Sequence, residues 1–490
     1  MSEGTDFKYF LRIFYSAAGI FACSAVYTVS VIMMDIMAKD RKEHEWLWAI
    51  PTIGALVMIV SVPVGLITDS IAGRWGVKRR QEELRARAEE AIVYRATAAV
   101  AQIPEEEPLL RRIEAIPAGT IALFDGESST ENSKEAHRAT NFFNIFDKFH
   151  ESYGEFVTTR SRGLGGGESP QRIRIAVLDT GIDFRHPGIM GAKEKGRVKK
   201  EWCHSWVNEA TNIEDEDDGL HGTNCVYLLH KVAPEAEIYV GKVFASTSFR
   251  IDQSQNIPKA IEHAVKTWNV DIISMSFGLR PPTLQTGGSH REGIPLQSYR
   301  ELIDNIEKTI VRASAESPRI MFAAASNNGK NERRAFPARF DHWVTCVHAS
   351  DGNGNDGGIN PAMEHGVNFM TLGMGIELME RQWVDVRKQI PMYRRVYKSG
   401  TSFATPIAAG IAATVLDLAV RVDPIKPQAR NGLRRPEGMM KMFRLMSTPN
   451  QGSNYTFLVP WNHWRMHWQV DEIERRHVWD SINRLFGPYE

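Results

Sequence analysis

The sequence is poor in cysteine and carries no net charge, and each shortage excludes a class of protein. Its 490 residues include four cysteines, none of them in a CxxC pair: Cys23, Cys203, Cys225 and Cys346. A disulfide framework or a structural zinc site is therefore not expected. Lys+Arg and Asp+Glu each number 59. This balance argues against a protein held to nucleic acid by charge, because phosphate binding needs a basic surplus.

Charge is also missing from two long runs near the N-terminus. Residues 13–34 and 46–68 contain 22 and 23 consecutive uncharged residues. About 20 apolar residues span the hydrocarbon core of a bilayer. The runs predict a helical transmembrane hairpin with a charged connector over residues 35–45, and a lipid bilayer as partner. Two buried helices of a soluble protein, or a signal peptide in residues 1–25, are the alternative interpretations.

The orientation of such a hairpin follows from the positive charges that flank it. Two spans place both flanks on one side, and positive charge near the spans marks the cytoplasmic side. The flanks carry six Lys and Arg residues and the connector carries three. The six are Lys8, Arg12, Arg74, Lys78, Arg79 and Arg80, and the three are Lys39, Arg41 and Lys42. The sequence therefore predicts that the domain after the hairpin faces the cytosol.

The rest of the chain divides by its hydrophobic pattern. Residues 71–140 are rich in charge and proline and predict a juxtamembrane helix followed by a linker. From residue 172 short β-branched apolar runs alternate with helical patterns. This alternation predicts a three-layer α/β/α domain over 141–430, with a parallel sheet covered by helices on both faces. Residues 431–490 are predicted to form a helical extension packed on that domain.

Two polar motifs fall where buried elements of this domain begin or end. Asp179 ends the apolar strand of IAVLDTGID (175–183), where its carboxylate could accept the Nδ1–H of a histidine. His221 opens the apolar run after DDGL, a position that suits a general base. Taken singly, the first motif is equally well explained by a turn aspartate, and the second is better explained by a surface histidine. Cys225 lies four residues after His221, so on a helix it shares the same face.

Two further motifs place a hydroxyl and an amide in similar positions. Ser402 lies in SGTSFATP (399–406), near the first turn of a long predicted helix, where backbone N–H groups can donate to an anion. A serine there is nucleophilic if a base removes its proton, or it only caps the helix. After the strand in FAAASNNG, Asn327 or Asn328 could donate to a developing oxyanion, or simply form a turn.

The four motifs occur in the order Asp, His, Asn, Ser, each with its flanking residues. DTGID, HGT, SNNG and GTSFATP together resemble the subtilisin-like serine peptidases (subtilases, peptidase family S8) over about residues 171–421. The segment APEAEIYVGKV resembles the intracellular-type fungal members. A lipase or esterase is excluded, because it would need a GxSxG elbow and the order Ser, Asp, His.

The resemblance implies a subtilisin-like fold and a serine endopeptidase acting on a peptide or protein substrate. Ser402 would be the nucleophile, His221 the general base and acid, and Asp179 the residue that orients His221. Asn327 would hold the oxyanion together with the Ser402 backbone N–H. The strand that pairs with the substrate would comprise Ser274, Met275, Ser276, Phe277 and Gly278, and a wall of the specificity pocket would comprise Ala324, Ala325 and Ser326.

The sequence departs from the family pattern beside the predicted base. Leu220 replaces a glycine, and Asn224 replaces a histidine that is not catalytic in the family. These departures leave open a second hypothesis, an inactive subtilase fold acting as a binding or signalling module. No inhibitory pro-domain of the usual kind is recognisable between residues 69 and 170. The acidic run 215–218 lacks the spaced ligands of a calcium loop and is expected to be solvated, so no cofactor is predicted.

Overall fold

The residues that position the site belong to the second of two units into which the chain divides, Arg111–Glu490. The computed structural model describes residues 121–123, 128–131, 133–161, 171–207, 210–246, 248–249, 255–279, 296–329, 332–364, 367–385, 390–422, 425–450, 454–464 and 472–487. Both apolar runs and the predicted juxtamembrane helix lie outside these residues. The transmembrane hairpin and its orientation therefore stay predictions.

A nine-stranded sheet forms the centre of this unit, in the order β14-β15-β11-β10-β9-β7-β3-β5-β4. Its strands are β3 (Arg174–Asp179), β4 (Val198–Ser205), β5 (Glu237–Lys242), β7 (Ile272–Met275), β9 (Ile320–Ala324), β10 (Thr345–Ser350), β11 (Asn368–Leu372), β14 (Ser447–Pro449) and β15 (Tyr455–Leu458). Every neighbouring pair is parallel except β14 with β15. The predicted, mostly parallel sheet is confirmed.

Both faces of the sheet are buried, as the apolar runs predict. In β3, Ile175 and Val177 pack into one hydrophobic cluster, whereas Ala176 and Leu178 pack into another. Successive side chains of a strand point to opposite faces, so two clusters mean two covered faces. The predicted three layers are therefore present.

Helices supply both covers. Seven contribute to the first cluster: α1 (Lys134–Ser161), α2 (Pro187–Glu194), α3 (His221–Val232), α6 (Thr401–Arg421), α7 (Pro427–Leu433), α8 (Pro436–Leu445) and α9 (Glu472–Leu485). Two contribute to the second: α4 (Asn256–Lys266) and α5 (Leu296–Glu316). A short 3-10 helix, Pro460–Asn462, follows β15.

Helix α6 is apolar around its whole circumference. Among the described residues it alone is long and apolar enough to cross a bilayer, but 94% of that apolar window is buried inside this protein. A helix that is hydrophobic on all sides is expected at the centre of a large core. The composition of α6 is therefore explained by its position between the sheet and α3.

Two small antiparallel sheets flank the main one. The first has the order β6-β1-β8 and comprises β1 (Ile121–Leu123), β6 (Ser248–Phe249) and β8 (Phe277–Gly278). The second has the order β12-β13-β2 and comprises β2 (Ser128–Ser129), β12 (Ile376–Asp385) and β13 (Ile390–Lys398). Strands β12 and β13 form a hairpin that ends just before α6.

The structure differs from the predicted domain limits at two places. The segment predicted as a linker contains β1 and β2, and α1 begins at Lys134, so the limit at residue 140 falls inside a helix. Ala136 and Ala139 are buried in the first turns of this helix. Because alanine is small, these positions contribute little to the hydrophobic pattern, and the sequence did not indicate that the helix begins before residue 140. The C-terminal extension is not purely helical, because β14 and β15 prolong the central sheet beside β11.

Candidate active site

Asp179 and His221 meet at the carboxyl end of β3. The Nδ1 atom of His221 lies 2.7 Å from Oδ1 of Asp179, and both side chains are fully buried. In the tautomer with Nδ1 protonated, this nitrogen donates to the carboxylate and Nε2 is the basic nitrogen. The backbone N–H of Thr180 donates to the same Oδ1 at 2.8 Å and fixes the carboxylate. This pair has the geometry of an oriented general base.

Two glycines allow α3 to approach β3 this closely. A Cβ on Gly222 would lie 2.6 Å from the carbonyl oxygen of Gly181, and the Gly222 N–H donates to Oγ1 of Thr180 at 2.9 Å. Gly181 has φ +112°, a conformation that side chains disfavour. The glycines of the DTG and HGT motifs thus bring the helix that carries His221 onto the strand that carries Asp179.

Leu220 has a left-handed backbone conformation, which glycine adopts more readily than leucine. Its φ of 52° and ψ of 43° are left-handed, and it is the residue that precedes the first turn of α3. Its carbonyl oxygen accepts the N–H of Asn224 at 2.8 Å, which starts the helix. The departure from the family pattern therefore leaves the start of α3 in place, at the energetic cost of a leucine with positive φ.

This cost predicts an unusual order of stabilities. Leu220→Gly and Leu220→Ala both delete the side chain, but only glycine relieves the left-handed strain. We expect the glycine variant to be more stable than the alanine variant by about 1 kcal/mol, roughly 2 °C in thermal midpoint. At Leu228, buried within the same helix, the order should reverse because glycine is the poorer helix former. The same order of stability for the glycine and alanine variants at both positions would contradict backbone strain at Leu220.

Ser402 is the second residue of α6 and is fully buried. Its carbonyl oxygen accepts a hydrogen bond from Oγ of Ser276 at 2.8 Å and lies 3.8 Å from Sγ of Cys225. The ring of the next residue, Phe403, lies 5.6 Å from the ring of His221. These contacts bring the N-terminal turn of α6, which carries Ser402, beside the N-terminal turn of α3, which carries His221.

Asn327 lies on the other side of the same helical turn. Its Oδ1 accepts the backbone N–H of Thr401 at 2.8 Å. Because the oxygen accepts this hydrogen bond, the orientation of the amide is fixed. The preceding residue, Ser326, has φ 136° and donates its N–H to Oγ1 of Thr401 at 3.3 Å. The two contacts hold the end of β9 against the start of α6, next to the Ser402 N–H.

The predicted substrate-binding residues fall into two groups. Ser274 and Met275 belong to β7, inside the main sheet between β3 and β9, and both are fully buried. Ser276 is also buried and contacts Ser402. Phe277 and Gly278 form β8, the part that pairs with another strand outside the main sheet. The remaining three, Ala324, Ala325 and Ser326, are buried beside Asn327. Their contact with substrate stays a prediction.

The acidic run before His221 is only partly solvated. Glu216 and Asp218 are exposed, as expected, but Asp215 and Asp217 are buried. Oδ2 of Asp215 accepts the N–H and the hydroxyl of Thr223 at 2.9 and 2.7 Å, and Oδ2 of Asp217 accepts the N–H of His221 at 3.3 Å. Burial raises the pKa of Asp215 to about 6, against these hydrogen bonds. Both carboxylates therefore cap α3, where negative charge is stabilising.

Arg381 is a buried residue of the site that the sequence does not reveal. It lies on β12 with 2% of its side chain exposed, 3.3 Å from Oδ2 of Asp183 and 3.4 Å from the carbonyl oxygen of Asp217. Tyr393 on β13 donates to the same Asp183 oxygen at 2.9 Å. Burial opposes ionisation of Asp183, but hydrogen bonds from Arg185 and Tyr393 outweigh it and lower its pKa. The hairpin is thus tied to the loop that leads into His221.

Removing this buried cation should be costly. Arg381→Met leaves the Asp183 carboxylate buried without the Arg381 guanidinium. Breaking a buried ion pair lowers the free energy of unfolding by about 3–5 kcal/mol. Arg394→Met is the matched control, because that arginine is 58% exposed on the same hairpin and pairs with Glu380. An exposed pair contributes about 0–1 kcal/mol. Thermal unfolding measures both, and equal losses in the two variants would contradict the difference in burial.

Asn224 also joins α3 to this hairpin. Its Nδ2 donates to the carbonyl oxygens of Gly219 and Met379 at 3.0 and 2.9 Å, and the Met379 N–H donates back to Oδ1 at 3.4 Å. An amide provides both donor and acceptor, which this pairing with a β-strand backbone requires. The second departure from the family pattern therefore has a structural role.

Cys225 is the buried thiol nearest to the site. Its Sγ, one nitrogen of His221 and one oxygen of Asp179 all lie within 4.8 Å of one another. We expect a stoichiometric mercurial to bind this thiol, crowd His221 and abolish activity. Cys225→Ser should resist, whereas Cys346→Ser, which removes another buried thiol, should remain sensitive. Peptide hydrolysis before and after titration with mercury measures this, and inhibition of Cys225→Ser to the extent of the wild type would contradict it.

The similarity to known proteins covers the region of the chain that contains this site. The sequence profile of the Subtilase family matches residues 171–428, just over half of the chain. The subtilisin-like protease het-Q2 of Podospora anserina is 28% identical over 300 residues, which cover 54% of this chain and 75% of that protein. Subtilisin NAT of Bacillus subtilis subsp. natto is 27% identical over 263 residues, 51% of this chain and 57% of its own length. A crystal structure of a lanthipeptide protease is 17% identical, with a TM-score of 0.46 over 69% of this chain and 98% of that one.

Proposed function

Because this chain belongs to the subtilase family, we propose that it hydrolyses peptide bonds as a serine endopeptidase through Asp179, His221 and Ser402. The family predicted from the four motifs is confirmed by the profile match, and the relatives include a fungal subtilisin-like protease. The contact that supports the catalytic assignment most directly is the buried pair of Asp179 and His221 at 2.7 Å. The packing of the start of α6, which carries Ser402, against the start of α3 supports it as well.

In the first half of the reaction, Nε2 of His221 takes the proton of the Ser402 hydroxyl while Oγ attacks the carbonyl carbon of the substrate. Asp179 keeps the imidazole in the tautomer with Nδ1 protonated and stabilises the imidazolium that forms. Negative charge develops on the carbonyl oxygen and is met by the Nδ2 group of Asn327 and the N–H of Ser402. His221 then donates its proton to the leaving amine, and an acyl-enzyme on Ser402 remains.

In the second half, water replaces the amine. His221 takes a proton from the water, the hydroxide attacks the acyl carbon, and the Ser402 oxygen leaves and regains its proton from His221. His221 performs each proton transfer, and the donors that stabilise the oxyanion also belong to this chain. The prediction that no cofactor is needed therefore belongs to this proposal.

A peptide-library digest tests the activity. The full chain in detergent should cut a set of peptides at a reproducible pattern of bonds, and the Ser402→Ala protein should cut none of them. Identical cleavage by both proteins would assign the hydrolysis to a contaminant. Binding of peptides without cleavage by the wild type would instead favour the hypothesis of an inactive binding module.

We further propose that residues 13–34 and 46–68 anchor the enzyme in a membrane with the peptidase domain on the cytosolic side. One supporting observation is the length of the two uncharged runs. The other is the positive charge, with six Lys and Arg residues in the flanks on the shared side and three in the connector on the other side. Trypsin added to sealed microsomes should digest the peptidase domain without detergent. Its survival until detergent is added would place the domain on the luminal side.

A further inference from the structure

A cavity lies at the end of the peptidase domain opposite the proposed triad. Its volume is about 340 Å³, and residues from the second half of α1, the loop after α3 and the second half of α6 line it. Ile173 and Ala236, which directly precede the neighbouring strands β3 and β5, close it from the side of the sheet. On α6, Ser402 and Asp417 are 15 positions apart, which separates them by about 22 Å along the helix axis. The cavity is therefore distinct from the site described above.

The walls of this cavity are mainly apolar. They include Ala233, Pro234 and Ala413 together with the rings of His150 and Tyr153. Burial lowers the pKa of His150 to about 4, so its ring is uncharged at neutral pH. Pockets of this size that combine apolar walls with a few polar groups are typical sites for small molecules. The walls therefore suit a ligand with an apolar body.

A partly used guanidinium group lies among these apolar walls. Asp417 accepts the hydroxyl of Tyr153 at 2.6 Å and Nε of Arg421 at 2.7 and 2.9 Å, and both Asp417 and Arg421 line the cavity. The two terminal amino groups of Arg421 have no hydrogen-bond partner in the part of the chain that the structure describes. Only 14% of this side chain is exposed. The N–H groups of a guanidinium form a planar fork that matches the two oxygens of a carboxylate.

The charges around the cavity favour an anion. Glu235 also lines the cavity, and it forms ion pairs with Arg172 and Arg197. Both carboxylates, Asp417 and Glu235, therefore already have cationic partners. Three guanidinium groups surround these two carboxylates, which leaves an excess of one positive charge. A ligand with a single negative charge would balance it, whereas a cation would find no unpaired carboxylate.

Gly154 leaves one wall of the cavity open. It lies inside α1, where glycine is a poor helix former. A Cβ at this position would meet no other atom within 4 Å, so no close backbone contact requires a glycine here. A larger side chain at this position would therefore fit the helix and take up space that the cavity now offers.

We propose that this cavity binds a small monocarboxylate with an apolar body, whose carboxylate pairs with the terminal amino groups of Arg421 and whose body packs against the rings of His150 and Tyr153. The site is a second one and does not depend on hydrolysis of peptides. Its ligand is identified by charge, by the fork of Arg421 and by the apolar walls.

Calorimetric titration of the full chain in detergent with 3-phenylpropionate tests the proposal. We expect one saturable site. The amide of the same acid, 3-phenylpropanamide, has nearly the same shape without the charge and should bind about tenfold more weakly, because hydrogen bonds to an ionised acceptor are the stronger ones. Equal affinity for the acid and the amide, or no saturable binding of the acid, would overturn the proposal.

Arg421→Lys tests the position of the carboxylate. Lysine retains the positive charge beside Asp417 but lacks the fork, so the affinity for 3-phenylpropionate should fall by about tenfold. Arg312→Lys makes the same exchange on α5, where the arginine is 62% exposed, and should bind like the wild type. Wild-type affinity in Arg421→Lys would contradict the pairing with Arg421.

Gly154→Leu tests the position of the apolar body. Leucine is the better helix former, so the thermal midpoint without ligand should not fall, whereas its side chain takes up cavity space and should abolish binding of 3-phenylpropionate. Gly191→Leu is the matched control, because a Cβ at this position of α2 also meets no atom within 4 Å and the residue does not line the cavity. Undiminished binding in Gly154→Leu would refute the site.

Two sources could supply such a carboxylate, a free acid or the C-terminus of a peptide. N-acetylphenylalanine contains the 3-phenylpropionate body and adds the amide group that precedes a peptide C-terminus. Tighter binding of N-acetylphenylalanine than of 3-phenylpropionate would support the site with a peptide C-terminus as its ligand. Weaker binding would support the site with a free acid as its ligand, and binding of neither would refute it.

Discussion

Ser402→Ala is expected to reduce the turnover of peptide substrates by about 10⁶-fold, the size known for loss of the serine or the histidine in subtilisin. Alanine removes only the hydroxyl oxygen, and with it the atom that forms the acyl-enzyme. Two contacts of this residue, with Ser276 and Cys225, run through its carbonyl oxygen, which alanine retains. The thermal midpoint should therefore change little. Single-turnover hydrolysis of a fluorogenic peptide measures the loss.

A second buried serine provides the control. Ser350, at the end of β10, is as fully buried as Ser402. Ser350→Ala makes the same exchange outside the proposed triad and should retain activity. Hydrolysis by purified Ser402→Ala at the rate of Ser350→Ala would refute the nucleophile.

Asn327→Ala should lower turnover by about 10²–10³-fold with little change in KM, because the hydrogen bond to the oxyanion forms mainly in the transition state. Alanine also removes the acceptor of the Thr401 N–H. Asn327→Asp retains that acceptor oxygen and deletes the Nδ2 donor. Both variants should therefore lose turnover if the donor is what matters.

Asn328→Ala is the matched control for this position. The neighbouring asparagine is half-buried like Asn327, but it is Asn327 that accepts the Thr401 N–H. Wild-type turnover in Asn327→Asp, or a large loss confined to Asn328→Ala, would move the oxyanion donor to another group.

The parts of the site that the sequence predicts are local. Asp179, His221 and Ser402 each stand at the boundary of one strand or helix, and parallel strands bring such boundaries to one edge of a sheet. The motif alone did not separate Asn327 from Asn328, because adjacent side chains differ only in direction, and only the family resemblance favoured Asn327. The contact of Asn327 with Thr401 provides that direction in the structure.

The parts that the sequence could not predict depend on long-range pairing. Strands β1 and β2 have three and two residues, too few for a period-2 pattern, and their partners lie more than 100 positions away. The burial of Asp215 and Asp217 depends on hydrogen bonds from backbone donors of α3. In the sequence these two residues alternate with two acidic residues that are exposed, so the run as a whole was predicted to be solvated. Arg381 contacts residues more than 160 positions earlier and lies in no motif.

Mapping the adduct of a serine-reactive fluorophosphonate by mass spectrometry tests the central claim most directly. The full chain should carry one adduct, on the peptide that contains Ser402, and His221→Ala should form it far more slowly because Nε2 of His221 activates the hydroxyl. An adduct on another serine, or equal labelling of the wild type and His221→Ala, would contradict an Asp179–His221–Ser402 triad.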